Sequence, residues 1–301
     1  MSISVVGFDI GNETSYIAVA KGGGIETIDR CTPTYVSFGD RSRFMGASAK
    51  QQAITNIKNT IFNFPRLIGK KFFDPAVQRE IPFLPYNLVS LENDTIGIKC
   101  QYRSEMTIFS PEQIMAAQMT KLKEITELHL QSPCVDVVLN VPAYYTDSER
   151  RAMLDASSIA SLKCVRLLND TTACVIAYGL YNKDFPPVEA PPKIVAFVML
   201  GQSNLQVTIC AFNNGEVKLL SVSCDPNLGG RDLDMAIFRH MCREIKANYK
   251  LDVTSNKKAS IRLLQECEKL KKLMSANSTQ IPLNIECFME DKDISLRMPS
   301  I

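Results

Sequence analysis

An apolar run that carries a single acid, Val5-Val6-Gly7-Phe8-Asp9-Ile10-Gly11, constrains this chain more than any other stretch. Residues 3–10 read as a strand, 11–14 as a turn and 15–21 as a second strand; Gly22, Gly23 and Gly24 then turn the chain into a third at 25–28. No helical pattern follows Gly11, so the opening is an antiparallel meander and not the first unit of a βαβ dinucleotide fold. A lone carboxylate inside an apolar strand is costly unless it is paired, hydrogen-bonded or linked to a metal, which marks Asp9 as a candidate functional residue.

The motif has an echo. Ala196-Phe197-Val198-Met199-Leu200-Gly201 repeats the hydrophobic strand and the glycine turn, and a second strand again begins near residue 205. Two such hairpins facing each other would offer backbone N–H groups to phosphates from both sides; two unrelated hairpins in an α/β protein remain the plainer reading. Between them, Ser110-Pro111-Glu112-Gln113 and Thr146-Asp147-Ser148-Glu149 are capping boxes that open helices. Residues 134–141 and 164–168 read as strands, and Asn169-Asp170 leads into a helix over 171–180, which together suggest a covered mixed sheet. Four prolines within 185–192 mark a hinge or boundary between lobes. Residues 232–248 and 260–275 read as helices and 281–288 as a strand.

The charge balance is 34 basic against 32 acidic residues, too even for a typical nucleic-acid binder. Ten cysteines contain no CxxC pair and only His129 and His240 could assist them, so buried reduced thiols in an intracellular protein are the expectation, not a zinc site. The longest apolar run, residues 194–200, falls far short of a membrane span, and the N-terminus is a poor signal peptide. A soluble cytoplasmic protein, with the nucleus as a further location, is expected.

On these residues, with Asp29-Arg30-Cys31-Thr32-Pro33, Asp147-Ser148-Glu149-Arg150-Arg151, Asn169-Asp170-Thr171-Thr172, Ile285-Glu286-Cys287-Phe288 and the run 265–275, the sequence resembles the actin-like ATPase domain of the 70-kilodalton heat-shock chaperones, closer to their large 110-kilodalton subclass. The resemblance implies an α/β, ribonuclease H-like fold in two lobes. Residues 1–184 would form the first lobe, with 34–106 its upper subdomain, 185–192 the hinge and 193–301 a partial second lobe, with 225–301 its upper subdomain. It further implies ATP or ADP with magnesium as ligands. Asp9 would sit near the metal and its waters, and Asp170 beside that water network. Gly11, Asn12 and Glu13 would form one phosphate loop, and Gly201, Gln202, Ser203 and Asn204 the other. Gly229 and Gly230 would approach the nucleotide, and Glu268, Lys271, Lys272 and Ser275 would flank the adenosine. Lysines 269, 271 and 272 also suit an ordinary solvated helix face.

The sequence departs from the family in four places. Pro65 stands where the family has a lysine that reaches the transferred phosphate, and Met199 where it has a metal-side aspartate. A proline brings neither charge nor N–H, and a thioether is a poor ligand for hard magnesium. The family also has a few more residues between Ile28 and Asp29, a loss expected to shorten or shift the third strand of the meander. Lastly, the chain stops before the rest of the second lobe and before any substrate-binding domain. The expected function is an ATP-binding chaperone or nucleotide exchange cofactor that assists folding, with weakened hydrolysis. A non-catalytic remnant or regulatory binding module and a slow magnesium-dependent ATPase are the alternatives. A smaller heat-shock chaperone of the superfamily is the expected partner; unfolded clients are not expected without a substrate-binding domain.

Overall fold

The computed structural model describes residues 5–21, 23–277 and 280–298. Residues 3 and 4 of the expected first strand, Gly22 of the glycine turn and residues 299–301 lie outside them. The chain divides into two compact units, Met1–Met199 with Leu205–Pro226, and Leu200–Asn204 with Asn227–Ile301.

In the first unit the strand Val6–Ile10 sits at the centre of a five-stranded mixed sheet. It runs antiparallel to Thr14–Lys21 on one side and parallel to Asp136–Val141 on the other, and Lys163–Asn169 continues the parallel half. Val6, Phe8 and Ile10 are buried on one face, which leaves Gly7 and Asp9 on the opposite face of the same strand. The helix Pro111–Leu130 starts at the capping box of Ser110 and Gln113, and its Ile114, Met115, Met119 and Leu122 join the core of Phe8, Ile17, Phe64, Leu67 and Leu139. Each such side chain, fully buried, contributes about 1.5–3 kcal/mol over its exposed state. The second capping box, Thr146 with Glu149, opens the helix Asp147–Ile159.

The third strand of the meander covers Gly24–Pro33, ten residues, and so runs past the expected 25–28. Its pairing with Thr14–Lys21 shifts register between Ser15 and Ile17 and again between Ile17 and Ala18. Extra residues on one strand are taken up as bulges that leave both ends of the ladder paired, so a change of length becomes a local kink.

A further sheet is formed by Lys193–Leu200, Leu205–Asn213 and Glu216–Asp225. Gln206, Thr208, Cys210 and Phe212 alternate inward, where Val175 and Tyr178 of the helix Asp170–Tyr181 pack against Cys210 and Phe212. Phe185 stacks on Phe212 with ring centroids 5.0 Å apart, and the Asn213 side-chain amide donates to the Pro187 and Ala190 carbonyls, so the proline-rich stretch is clipped to the end of this sheet.

In the second unit, helices Gly230–Tyr249 and Lys257–Ala276 pack with the hairpin Ile281–Met289 and Lys292–Met298. Ile237, Met241 and Ile245 recur at helical spacing, Leu263, Cys267 and Leu270 answer them, and Ile281, Leu283 and Ile285 alternate at strand spacing. No helix among the described residues is long and apolar enough to cross a membrane.

Candidate functional site

In the first unit a polar network lies beside the first glycine turn. Asp170 is the first residue of the helix Asp170–Tyr181, a position that favours an acid because the helix dipole is positive there. Asn140 donates to one of its oxygens at 2.8 Å and Gln206 to the other at 3.0 Å. Each amide is oriented from behind: the Asn140 oxygen accepts the Ile10 N–H at 2.6 Å, and the Gln206 oxygen accepts the Ala143 N–H at 2.9 Å. With both amide oxygens occupied, both NH2 groups face the carboxylate, an arrangement that suits the ionised acid. Burial raises the pKa of Asp170, and the two amide hydrogen bonds oppose that rise.

The Asp9 carboxylate takes no hydrogen bond or ion pair from the described residues. Its pKa is pushed up to about 6, first by removal of bulk water around the carboxylate and then by the negative charge of Asp170. The residue still reaches solvent. Two neighbouring carboxylates, one held by amides and one without a counter-charge, fit a hard, hydrated cation with oxygen ligands. Magnesium so placed would neutralise charge on phosphate oxygens.

The turn that follows Asp9 is closed by the Gly11 N–H donating to the Thr14 carbonyl at 3.0 Å. A Cβ at Gly11 would stand 2.7 Å from that carbonyl oxygen, so glycine is required by close approach. Thr34 holds the turn from behind, its hydroxyl on the Gly11 carbonyl at 2.9 Å and its N–H on the Glu13 carbonyl at 2.8 Å. Buried Gln118 supports Ser15, which in turn meets Thr34. The side chains of Asn12 and Glu13 are drawn to Asn63 at 2.8 Å and Lys50 at 3.2 Å. It is therefore the backbone of the turn that suits a phosphate.

Pro65 is buried in the short helix Phe64–Arg66, and its carbonyl accepts the Tyr145 hydroxyl at 2.8 Å. Arg66 is committed to Glu80 at 2.8 Å and to the Pro226 carbonyl at 2.6 Å. Removing either member of such a buried pair strands the other charge, so Arg66 is held where it is. Met199 is half-buried on the strand Lys193–Leu200.

In the second unit the turn Gly201–Asn204 closes as the first does, the Gly201 N–H donating to the Asn204 carbonyl at 2.8 Å. The start of the helix Gly230–Tyr249 grips it: the Gly230 N–H donates to the Gly201 carbonyl at 2.9 Å and the Arg231 N–H to the Gln202 carbonyl at 2.8 Å. A Cβ at Gly229 would meet the Ser203 nitrogen at 2.5 Å. Gly229 thus permits a close backbone approach to Gln202 and Ser203, and the N–H groups of Gly230 and Arg231 serve the turn. On the helix Lys257–Ala276, Lys271 reaches Asp234, Lys272 pairs with Glu268, and the Ser275 hydroxyl donates to the Lys271 carbonyl at 3.1 Å.

Sequence reasoning singled out Asp9, Asp170 and the glycine turns and did not name Asn140, Gln206, Thr34 or Asp234, which the structure places around them. Asn140 and Gln206 carried the same signal as Asp9, a polar residue in an apolar strand. Cys100 and Cys267 are buried, which pushes both thiols up to about 12.

A family model described as Hsp70 protein matches residues 5–299. The chain is 51% identical over 298 residues to a 97 kDa heat shock protein of Strongylocentrotus purpuratus, covering 97% of this chain and 34% of that protein. It is 50% identical over 298 residues to heat shock 70 kDa protein 4 of Homo sapiens, covering 97% and 36%. It is 48% identical over 301 residues to the human heat shock 70 kDa protein 4L, covering 98% and 36%. The chain spans about a third of the length of these curated relatives.

Proposed function

The chain belongs to the Hsp70 family, on the branch of its large members of 97–110 kDa, and from that premise we propose that it is an ATP- and ADP-binding chaperone domain with weakened hydrolysis. Membership of the family implies a capacity to bind nucleotide. The observation that carries the reading further is the Asp9–Asp170 pair beside the Gly11 turn, where a hydrated magnesium ion would find oxygen ligands and a phosphate would find backbone donors. Gly201–Asn204 is the second phosphate loop in this reading, and Glu268, Lys271, Lys272 and Ser275 flank the adenosine.

Weakened hydrolysis rests on Pro65 and Met199. Neither supplies a cation or a hard oxygen ligand, and Arg66 is tied to Glu80. Charge stabilisation of a transferred phosphoryl group needs such groups in place. These losses remove turnover groups while leaving binding groups, which favours a regulatory role: an exchange cofactor acting alongside a smaller Hsp70 in the cytoplasm and nucleus.

Calorimetric titration of residues 1–301 with ATP, with and without magnesium, tests the reading. Saturable one-to-one heat that depends on magnesium and is lost in Asp9→Ala is expected; no heat from folded protein overturns nucleotide binding. ATP turnover as fast as that of a complete Hsp70, abolished by Asp9→Ala, would overturn weakened hydrolysis. Labelled ADP release from a smaller Hsp70 that this chain leaves unchanged would remove the exchange role.

A further inference from the structure

One ion pair in the second unit stands behind the second glycine turn. Lys271 brings its ammonium within 2.7 Å of one Asp234 oxygen and 2.8 Å of the other, and donates to the Gly230 carbonyl at 3.1 Å. Asp234 is 6% exposed and lies one turn into the helix Gly230–Tyr249. The fit around the ammonium is close, since a Cβ at Gly230 would stand 3.3 Å from the Lys271 nitrogen. Gly230 is also the residue whose N–H holds the Gly201 carbonyl. A single path of contacts therefore runs from the helix Lys257–Ala276, through Lys271, Asp234 and Gly230, to the Gly201–Asn204 backbone.

We infer that Asp234 is a positioning residue for the second glycine turn, and that it works with Lys271, whose ammonium ties the Asp234 carboxylate to the Gly230 carbonyl. The ammonium spends its charge on a carboxylate with both oxygens in reach and another of its protons on a carbonyl. The carboxylate is buried deeply enough that losing the lysine would leave an uncompensated charge under the first turn of the helix. That first turn presents the two N–H groups that fix Gly201 and Gln202. The pair thus sets where the turn lies relative to both helices. This inference deepens the proposed nucleotide reading, in which Gly201–Asn204 is a phosphate loop, and rests on it for its functional meaning only.

The test is amide hydrogen exchange on nucleotide-free residues 1–301, followed by calorimetry with ATP. Asp234→Asn and Lys271→Met should each speed exchange of the Gly230 and Arg231 amides about tenfold, as local opening becomes easier. The double variant should add little, because the two residues act as one unit. Lys271→Arg should restore most of the protection. Amides of the hairpin Ile281–Met289 with Lys292–Met298 should keep their rates. Unchanged exchange at Gly230 and Arg231, or equal acceleration in the hairpin, overturns the inference. Lys271 is partly solvent-exposed, so Lys271→Met still reports if Asp234→Asn fails to fold. In calorimetry Asp234→Asn should lose ATP affinity, and Lys271→Met at least as much, since Lys271 also flanks the adenosine in the proposed reading. Unchanged or tighter binding in Asp234→Asn, with weaker binding in Lys271→Met, would confine the effect to Lys271 and overturn the inference. Wild-type protein that shows the exchange pattern but binds no ATP would sink the nucleotide reading and leave the positioning role standing.

Discussion

The two hairpins built on the same local pattern live in different surroundings. In the first sheet, Val6, Phe8 and Ile10 are buried against helix Pro111–Leu130 and its neighbours. In the second, the corresponding strand exposes Ile194, Val198 and Leu200, and nine of the ten residues of Glu216–Asp225 are exposed, among them Val217, Leu219 and Val222. Yet both turns close identically, the glycine N–H donating to the carbonyl three residues on, at 3.0 Å and 2.8 Å. Turn geometry is therefore a local property of these strands, while burial comes from whatever packs on them.

The sharpest way to break this comparison is by truncation. Phe8→Ala should cost about 3–5 kcal/mol in chemical denaturation, whereas Leu219→Ala should fall within about 0.5 kcal/mol. Equal losses would mean that something covers the second sheet. The turns themselves come next. Gly11→Ala places a methyl 2.7 Å from the Thr14 oxygen, but Gly201→Ala places one 3.4 Å from the Asn204 oxygen. Gly11→Ala should cost about 1–3 kcal/mol and Gly201→Ala clearly less, read from melting midpoints. A reversed order would show that the two turns are not locally equivalent.

The acids differ as well. Asp9 precedes the first turn and Met199 the second. Because the pKa of Asp9 is raised to about 6, the carboxylate binds a proton as pH falls through that value, and cation binding should weaken there. Magnesium-dependent ATP affinity should drop about tenfold per pH unit below it, and Asp9→Asn should flatten the profile. A profile unchanged by Asp9→Asn would assign the titration elsewhere. The smallest effect concerns thiols. Cys31 and Cys287 are exposed and should be labelled first by an alkylating reagent, with Cys100 and Cys267 reacting only on unfolding. Early labelling of Cys267 would show that the second unit opens readily.

Local chemistry made much of the fold legible. The capping boxes at Ser110 and Thr146 open helices where their spacing says they should, and Asp9 stands out because a carboxylate interrupts an apolar strand. What stayed hidden depends on contacts between distant residues. Asn140 matters because it takes the Ile10 N–H from 130 residues away, and Gln206 because it joins Ala143 and Asp170, 63 and 36 residues distant. Neither neighbour can be read from the strand that carries the amide. The strand Glu216–Asp225 was legible but not named: Val217 and Leu219, then Leu220, Val222 and Cys224, alternate with polar residues at strand spacing. In sequence Asp234 is one acid among several on its helix, and only its ion pair with Lys271 sets it apart.

The bulged strand Gly24–Pro33 acts as a buffer for chain length. Its inner end is fastened to the first glycine turn through Thr34, while its outer end meets Lys21. Between the two, the register slips twice. An insertion or deletion at the outer end would meet these two slips before it reached the turn, so the fold leaves this edge room to vary in length without moving Gly11.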